Sequence, residues 1–351
     1  MFDISFYMRM KWLEKADYKI VNQNANLFMM FDLFRNKNPI VYNIETTNAC
    51  NMKCKMCPRT TMMTRPIETM KPELFEKIVN QLNLIDYKLW KEWNEFTQRE
   101  YGIGYDSEPS ENHFFLHVIP RVIQLHGYGD PLLDKNMARY VKLLTDRGFQ
   151  SYFSCNPANI DIEKTVEMFA NGLSYIKYSI ESTRDDIHKE IRGSASNFSE
   201  SYAKICQLLD IKRKCGYKTV IVITMLDLNA ENQAEEYVAL KKAFDGKDVY
   251  LYLKSEDTQW YRKDYHGTKS IHWSEFCKHP WMSMTIKSNG EACMCMEDFN
   301  NEIILGDANT ESLYDIWNGE KYRQFRQDHF DKKPGLRCTE RCDMKMIGDL
   351  I

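Results

Sequence analysis

The sequence predicts an α/β protein: a parallel sheet with helical crossovers, followed by a smaller cysteine-bearing region. Three observations predict it. Strand-like and helix-like segments alternate through six units between residues 40 and 253. The chain has 351 residues, 43% hydrophobic and 28% charged, which is the composition of a soluble globular protein and the length of about two domains. The alternation stops near Asp257, and an Asn289-Gly290 turn between two alternating segments then marks a hairpin.

The elements follow in order. Ile40 to Ile44 reads as the first strand and Lys71 to Leu84 as its helix. Val122 to His126 is the second strand, ending in Gly127-Tyr128-Gly129-Asp130-Pro131, and Met137 to Arg147 is a helix stopped by Gly148. Gln150 to Ser154, Tyr175 to Ile180, Val220 to Thr224 and Val249 to Leu253 are the remaining strands. Helices over Ile162–Asn171, Asn197–Cys215 and Asn232–Ala243 separate them. Parallel sheets bind ligands at the carboxyl ends of their strands. The polar ends His126, Asn156, Ser179, Thr224 and Lys254 are therefore expected on one face. Residues 87–117 break the rhythm with Trp90, Trp93, Phe96, Tyr101, Tyr105, Phe114 and Phe115. A connection this long is a lid or an appended element, and the aromatic spacing favours an amphipathic helix packed on the barrel. Further on, Met282–Ile286 and Ala292–Cys295 flank the Asn-Gly turn, and a helix is expected from Leu313 to Asp328.

The net charge of −3 provides no basic field for a nucleic-acid partner. The longest apolar runs, such as Thr219 to Thr224, fall far short of the ~20 residues that span a bilayer, so no membrane role is expected. Residues 1–17 lack an apolar signal core, so a cytoplasmic location is expected. Eleven cysteines bunch at residues 50–57 and 277–342, with Cys155, Cys206 and Cys215 scattered between. Clustered thiols in a cytosolic chain suggest metal ligation, while lone ones suit small buried hydrophobes.

Cys50, Cys54 and Cys57 lie on one loop just after the first strand. A [4Fe–4S] cluster normally takes four protein ligands, so three thiolates leave one iron open for a small molecule. Open positions mark reactive metal sites.

Cys50-x3-Cys54-x2-Cys57 at the end of a first strand, with βα units downstream, resembles the radical S-adenosylmethionine (SAM) enzymes over about residues 40–345. The resemblance implies a partial (β/α)6 TIM-type barrel. It implies SAM chelated to the open iron, its reductive cleavage to a 5′-deoxyadenosyl radical, and hydrogen abstraction from a substrate. A flavodoxin- or ferredoxin-type reductant is implied as well. Gly127, Gly129 and Asp130 match the segment whose backbone holds the SAM ammonium, with Asp130 where the family usually has Glu. Asn156, Ser179 and Glu181 match strand-end positions that contact the SAM carboxylate and ribose, and Arg192 looks like the arginine that pairs with the carboxylate. A planar guanidinium suits a carboxylate in two-point contact. Met56 stands at a usually aromatic position against adenine, where a thioether also packs.

The C-terminal order resembles the SPASM/Twitch extension, a β-hairpin-plus-helix element that holds auxiliary clusters. It runs Cys277-Lys278-His279-Pro280-Trp281, Asn289-Gly290, Cys295, Asp298, Leu305-Gly306-Asp307, Ser312 to Asn318, and Cys338/Cys342. Five cysteines follow residue 270, enough for one four-ligand auxiliary [4Fe–4S] cluster with one to spare. The resemblance favours Cys277, Cys295, Cys338 and Cys342. Strand alternation puts Cys293 and Cys295 on the same face and so does not separate them. The same thiolates would also suit a structural zinc. The expected organisation is an N-terminal extension over 1–39, a partial barrel over 40–257 that includes 87–117, and an auxiliary-cluster domain over 258–351.

A fully ligated auxiliary cluster suits electron transfer. The resemblance therefore implies an oxidoreductase of dehydrogenase type acting on a small polar substrate, an alcohol on a sugar or cyclitol. Lys254, Glu256 and Asp257 after the sixth strand are candidate bases. The alternative is peptide or protein modification by thioether formation, epimerisation or formylglycine formation. About 40 residues precede the first strand, fewer than the N-terminal peptide-binding domain of such relatives. An electron-carrier reading would leave Arg192, Asn156 and the Gly127–Pro131 loop without a role.

Overall fold

A computed structural model describes residues 1–15, 27–228, 231–255, 277–336 and 338. Helices α1 (Ile4–Lys15) and α2 (Leu27–Phe34) come first. Then follow β1 (Val41–Ile44), α3 (Pro72–Val79), α4 (Tyr87–Tyr101), β2 (Val122–Gln124), α5 (Met137–Asp146), β3 (Gln150–Cys155), α6 (Ile162–Ala170) and β4 (Tyr175–Ser179). After these come α7 (Asp185–Arg192), α8 (Phe198–Cys215), β5 (Val220–Asp227), α9 (Gln233–Ala243) and β6 (Tyr250–Ser255). The C-terminal part holds β7 (Met284–Ile286), β8 (Glu291–Cys293), β9 (Ile304–Asp307), α10 (Leu313–Asn318) and α11 (Glu320–Phe330).

All nine strands form one sheet in the order β6-β5-β4-β3-β2-β1-β7-β8-β9. The first six are parallel, as their helical crossovers require. The sheet ends on β6 and β9 without closing, so the barrel is partial. The C-terminal hairpin continues the barrel sheet: β7 pairs in parallel with β1, and β8 and β9 add antiparallel strands. The expected boundary at 257/258 falls outside the described residues.

Alternation along the strands sends side chains to two apolar layers. Ile123, Phe153, Ile176 and Ile221 face the crossover helices, meeting Tyr140, Leu144, Phe169 and Leu208. Tyr42, Val122, Tyr152, Val222 and Tyr252 face the concave side. There they meet Phe2, Phe6 and Tyr7 from the N-terminal region and Trp93, Phe96 and Phe114 from the long connection. Helix α4 starts at Asp86, whose carboxylate accepts from Lys88 N at 2.7 Å, and ends at Gly102 in the left-handed region. Its buried stripe is Trp93, Phe96 and Thr97, so this part is an amphipathic helix. The segment after it enters the barrel, with the Phe114 ring 5.3 Å from both Tyr152 and Tyr252. It also braces the sheet edge, where the Glu111 carboxylate accepts from Ser255 Oγ at 2.7 Å and Ser255 N at 3.1 Å.

Several elements differ from the sequence expectation. The helix expected over 313–328 is two helices that meet at Gly319. The hairpin strands are shorter, so Cys295 lies beyond β8. Helix α7, which ends at Arg192, and strand β9 were not foreseen.

Candidate active site

The loop after β1 is pinned on both sides. Thr47 bridges Thr69. The Asn48 side chain donates to Pro66 O at 2.8 Å and accepts from Glu68 N at 2.7 Å. Cys57 N donates to Cys54 O at 3.2 Å, and Lys53 N and Lys55 N donate to carbonyls at the end of α7. Cys50, Cys54 and Cys57, none in a disulfide, border one cavity of about 290 Å³ at the carboxyl ends of the strands. Burial pushes the Cys57 thiol up to about 11 and that of Cys50 upward as well. These thiols therefore ionise readily only beside a cation.

The residues fit an iron–sulfur cluster and its ligand. Met52 N donates to Cys50 Sγ at 3.4 Å and Arg192 Nη1 to Cys54 Sγ at 3.7 Å, contacts that favour thiolates. Among the described residues two further donors are buried without a partner, Asn156 Nδ2 and Arg192 Nε, and both residues border the cavity. A carboxylate there would satisfy them. Among the described residues no group of three or more His, Cys, Asp or Glu is placed to hold a single metal ion.

Gly127, Gly129, Asp130, Ser179, Met56 and Lys254 also border the cavity. A Cβ on Gly129 would fall 2.2 Å from Thr47 O, so only glycine lets the second loop lie on the first. Asp130 N donates to Ala49 O at 2.8 Å. The Asp130 side chain accepts from Leu132 N, Asn156 N and Asn159 Nδ2 at 2.8–3.0 Å. Its burial raises its pKa, and these donors oppose the rise. Its role is to join two strand ends. Glu181 is buried, pairs with Arg192 Nη2 and accepts from Leu226 N at 2.8 Å. Burial alone would lower the Arg192 pKa, but Glu181 and the Cys54 sulfur raise it. Thr224 is buried in register with Ser179. Glu256 and Asp257 lie outside the described residues.

In the C-terminal part, Cys295 and Cys338 are buried in the same apolar layer. His329 bridges toward Cys277: its Nδ1 lies 3.5 Å from Cys338 Sγ and its Nε2 3.1 Å from Cys277 O. Burial lowers the His329 pKa to about 4, leaving the ring neutral. Cys293 sits in β8 opposite Thr285, and burial pushes its thiol up to about 12. Cys342 lies outside the described residues.

Sequence reasoning missed Glu45, Arg65 and Lys177. Glu45 directly follows β1 and is fully buried. It accepts from Arg65 Nη2 at 2.8 and 2.9 Å, Ser288 Oγ at 3.1 Å and Tyr128 N at 3.1 Å. Burial raises its pKa, but Lys287 and Arg65 outweigh this and hold it below the usual range. Its place at a strand end was visible in the sequence, but its burial was not. Lys177 is a buried lysine in an apolar strand, and that contrast was its signal.

A SPASM iron–sulfur cluster-binding domain matches residues 277–343. No curated protein sequence matches the chain. Among solved structures, BtrN in complex with AdoMet and 2-DOIA is similar at 15% identity and TM-score 0.51, covering 89% of this chain and 97% of that one. Streptococcus suis SuiB bound to S-adenosylmethionine is similar at 14% and 0.54, covering 91% and 77%. Native anSMEcpe with bound AdoMet is similar at 13% and 0.53, covering 86% and 88%. These likenesses establish the fold. The fold is thus that of these S-adenosylmethionine-bound structures, and the C-terminal region carries the match to an iron–sulfur cluster-binding domain.

Proposed function

We propose that the chain oxidises an alcohol on a small, polar, sugar- or cyclitol-like substrate. The observation that carries this reading is the filling of the barrel. The segment after α4 and the N-terminal helices occupy the concave side, so the site is a cavity of about 290 Å³ above Tyr152. BtrN, solved in complex with AdoMet and 2-DOIA, is covered over 97% of its length, which supports this reading. SuiB has also been solved bound to its precursor peptide SuiA, at TM-score 0.51, and this keeps peptide modification as the second reading.

When bound, SAM and its cluster supply a hydrogen-abstracting 5′-deoxyadenosyl radical, and the auxiliary cluster supplies an acceptor for the electron left on the substrate. Cys50, Cys54 and Cys57 hold the first cluster in this reading, and Cys277, Cys295, Cys338 and Cys342 the second. Asn156 Nδ2 and Arg192 Nε bind the SAM carboxylate, and the Gly127–Asp130 backbone receives its ammonium. Met56 packs on the adenine, and Ser179 faces the ribose. Lys254, Glu256 and Asp257 are the candidate acceptors of the hydroxyl proton, with Lys254 at the cavity wall. A flavodoxin- or ferredoxin-type protein delivers the electron, in the cytoplasm.

Anaerobically reconstituted protein with dithionite, SAM and candidate substrates tests the reading. The expected result is deoxyadenosine release coupled to a small-molecule product lighter by two hydrogens. A modified peptide instead supports the second reading, and absence of SAM cleavage overturns both.

A further inference from the structure

Lys177 points into the barrel from the centre of β4, one inward position below Ser179. Its register partner on β3 is Ser154, which borders the cavity, as does Ser179. Lys177 is only 8% exposed, and among the described residues its ammonium has no hydrogen bond and no ion pair. Its Nζ lies 5.8 Å from the centroid of the Tyr152 ring. His126 lies against the same ring at 5.1 Å, borders the cavity, and has a buried Nδ1 without a partner. Lys254 also borders the cavity, where its Nζ donates to Ser255 O at 3.0 Å.

The nearby acids are committed elsewhere. Glu111 caps Ser255, Glu181 holds Arg192, Asp130 takes three N–H groups, and Glu297 accepts from Tyr128 Oη at 2.9 Å. A buried ammonium without a partner is costly, and among the described residues neither an acid nor a carbonyl hydrogen-bonds to this one. Burial, the Lys254 charge and the Arg192 charge together lower the Lys177 pKa to about 7, with Glu111 and Cys155 opposing. An incoming anion would restore the charged form and use the idle donors.

We propose that Lys177, with His126 beside it, binds an anionic oxygen group of the substrate, a carboxylate or a phosphate, at the inner end of the cavity beneath Ser154 and Ser179. The inference rests on the substrate-cavity reading above and narrows its substrate class. The anion is distinct from the SAM carboxylate, which falls to Asn156 and Arg192 at the rim.

Equilibrium dialysis of glycerol, glycerate and glycerol 3-phosphate against the cluster-reconstituted full chain, saturated with SAM, tests this. One of the two anions is expected to bind at least tenfold tighter than glycerol, and which one binds identifies the group. Lys177→Met should bring that anion to the glycerol level while leaving SAM affinity unchanged, and Lys177→Gln serves if K177M fails to fold. Lys254→Met should cost less than K177M. Equal affinities for the three probes overturn the proposal. So does a K177M variant that loses SAM affinity by the same factor, because the anion would then be the SAM carboxylate. If SAM is not cleaved but the anion preference stands, the functional reading fails and the anion site survives.

Discussion

Glu45 carries a charge with no access to water, and its partners explain how. Arg65 donates two hydrogen bonds, Ser288 and Tyr128 donate from the two neighbouring loops, and Lys287 adds its field. Removing one partner of such a pair leaves the other buried and uncompensated, a loss of about 3–5 kcal/mol. Glu45→Gln should therefore destabilise the chain by about that much in denaturant unfolding, and adding Arg65→Met should recover part of it. The pH dependence has a definite sign. The folded-state pKa of Glu45 lies below its unfolded value, so its contribution is complete above about pH 4.3 and is lost as the pH falls through the folded value. The stabilities of wild type and E45Q should converge below that pH, and a constant gap would contradict the assignment. Nothing in the sequence separates this acid from an ordinary polar strand end. Its burial is created by Arg65 and Ser288, which are distant in the chain and meet it only in the fold.

At the scale of the element, the two loops that frame the cavity touch through glycine. Gly129 lies so close to the first loop that a Cβ would meet Thr47 O at 2.2 Å and Ala49 O at 2.8 Å. Both neighbours are backbone, and neither can rotate away. Gly129→Ala should force the loops apart, break the Asp130 N to Ala49 O bond, and cost about 1–3 kcal/mol. The paired reading is a SAM affinity at least tenfold weaker in equilibrium dialysis. Unchanged affinity would show that this contact does not shape the site. The loop was legible in the sequence because strand, Gly-x-Gly and Pro131 follow one another within ten residues. The six parallel strands were legible for a similar reason, since most are short segments rich in β-branched and aromatic residues between turn and helix signals. Helix α7 was not, because its face is strongly polar: Asp185-Asp186-Ile187-His188-Lys189-Glu190-Ile191-Arg192 offers two apolar residues in eight. It is held by backbone bonds from Lys53 and Lys55 and by Asp185 accepting from Ser199 N, contacts beyond its own residues. Lys177 was hidden in the opposite way. A strand pattern reveals which side a residue faces, but not that the space opposite it lacks an acid.

At the scale of the molecule, one sheet carries both cysteine groups. Pairing of β7 with β1 joins the C-terminal hairpin to the barrel, and the loop after β8 is tied back to the first loop. Arg65 Nε donates to Phe299 O at 2.7 Å, Thr64 N to Asn300 Oδ1 at 2.7 Å, and Tyr128 Oη to Glu297 at 2.9 Å. Met296 and Glu297, adjacent to Cys295, border the same cavity as Cys50, Cys54 and Cys57. A cluster on Cys295 would thus lie beside the substrate, as an electron acceptor must. Cys295 shares its apolar layer with Cys338, whereas Cys293 does not. Iron analysis of reconstituted variants separates the two thiols. Cys295→Ser should retain about four of eight irons per chain, and Cys293→Ser about eight. Because the first cluster and the SAM loops remain, C295S should still release deoxyadenosine with dithionite while forming no oxidised product. The reverse pattern, with iron lost from C293S and kept in C295S, would move the ligand onto β8 itself and turn the cluster toward the Arg65–Glu45 junction instead of the cavity.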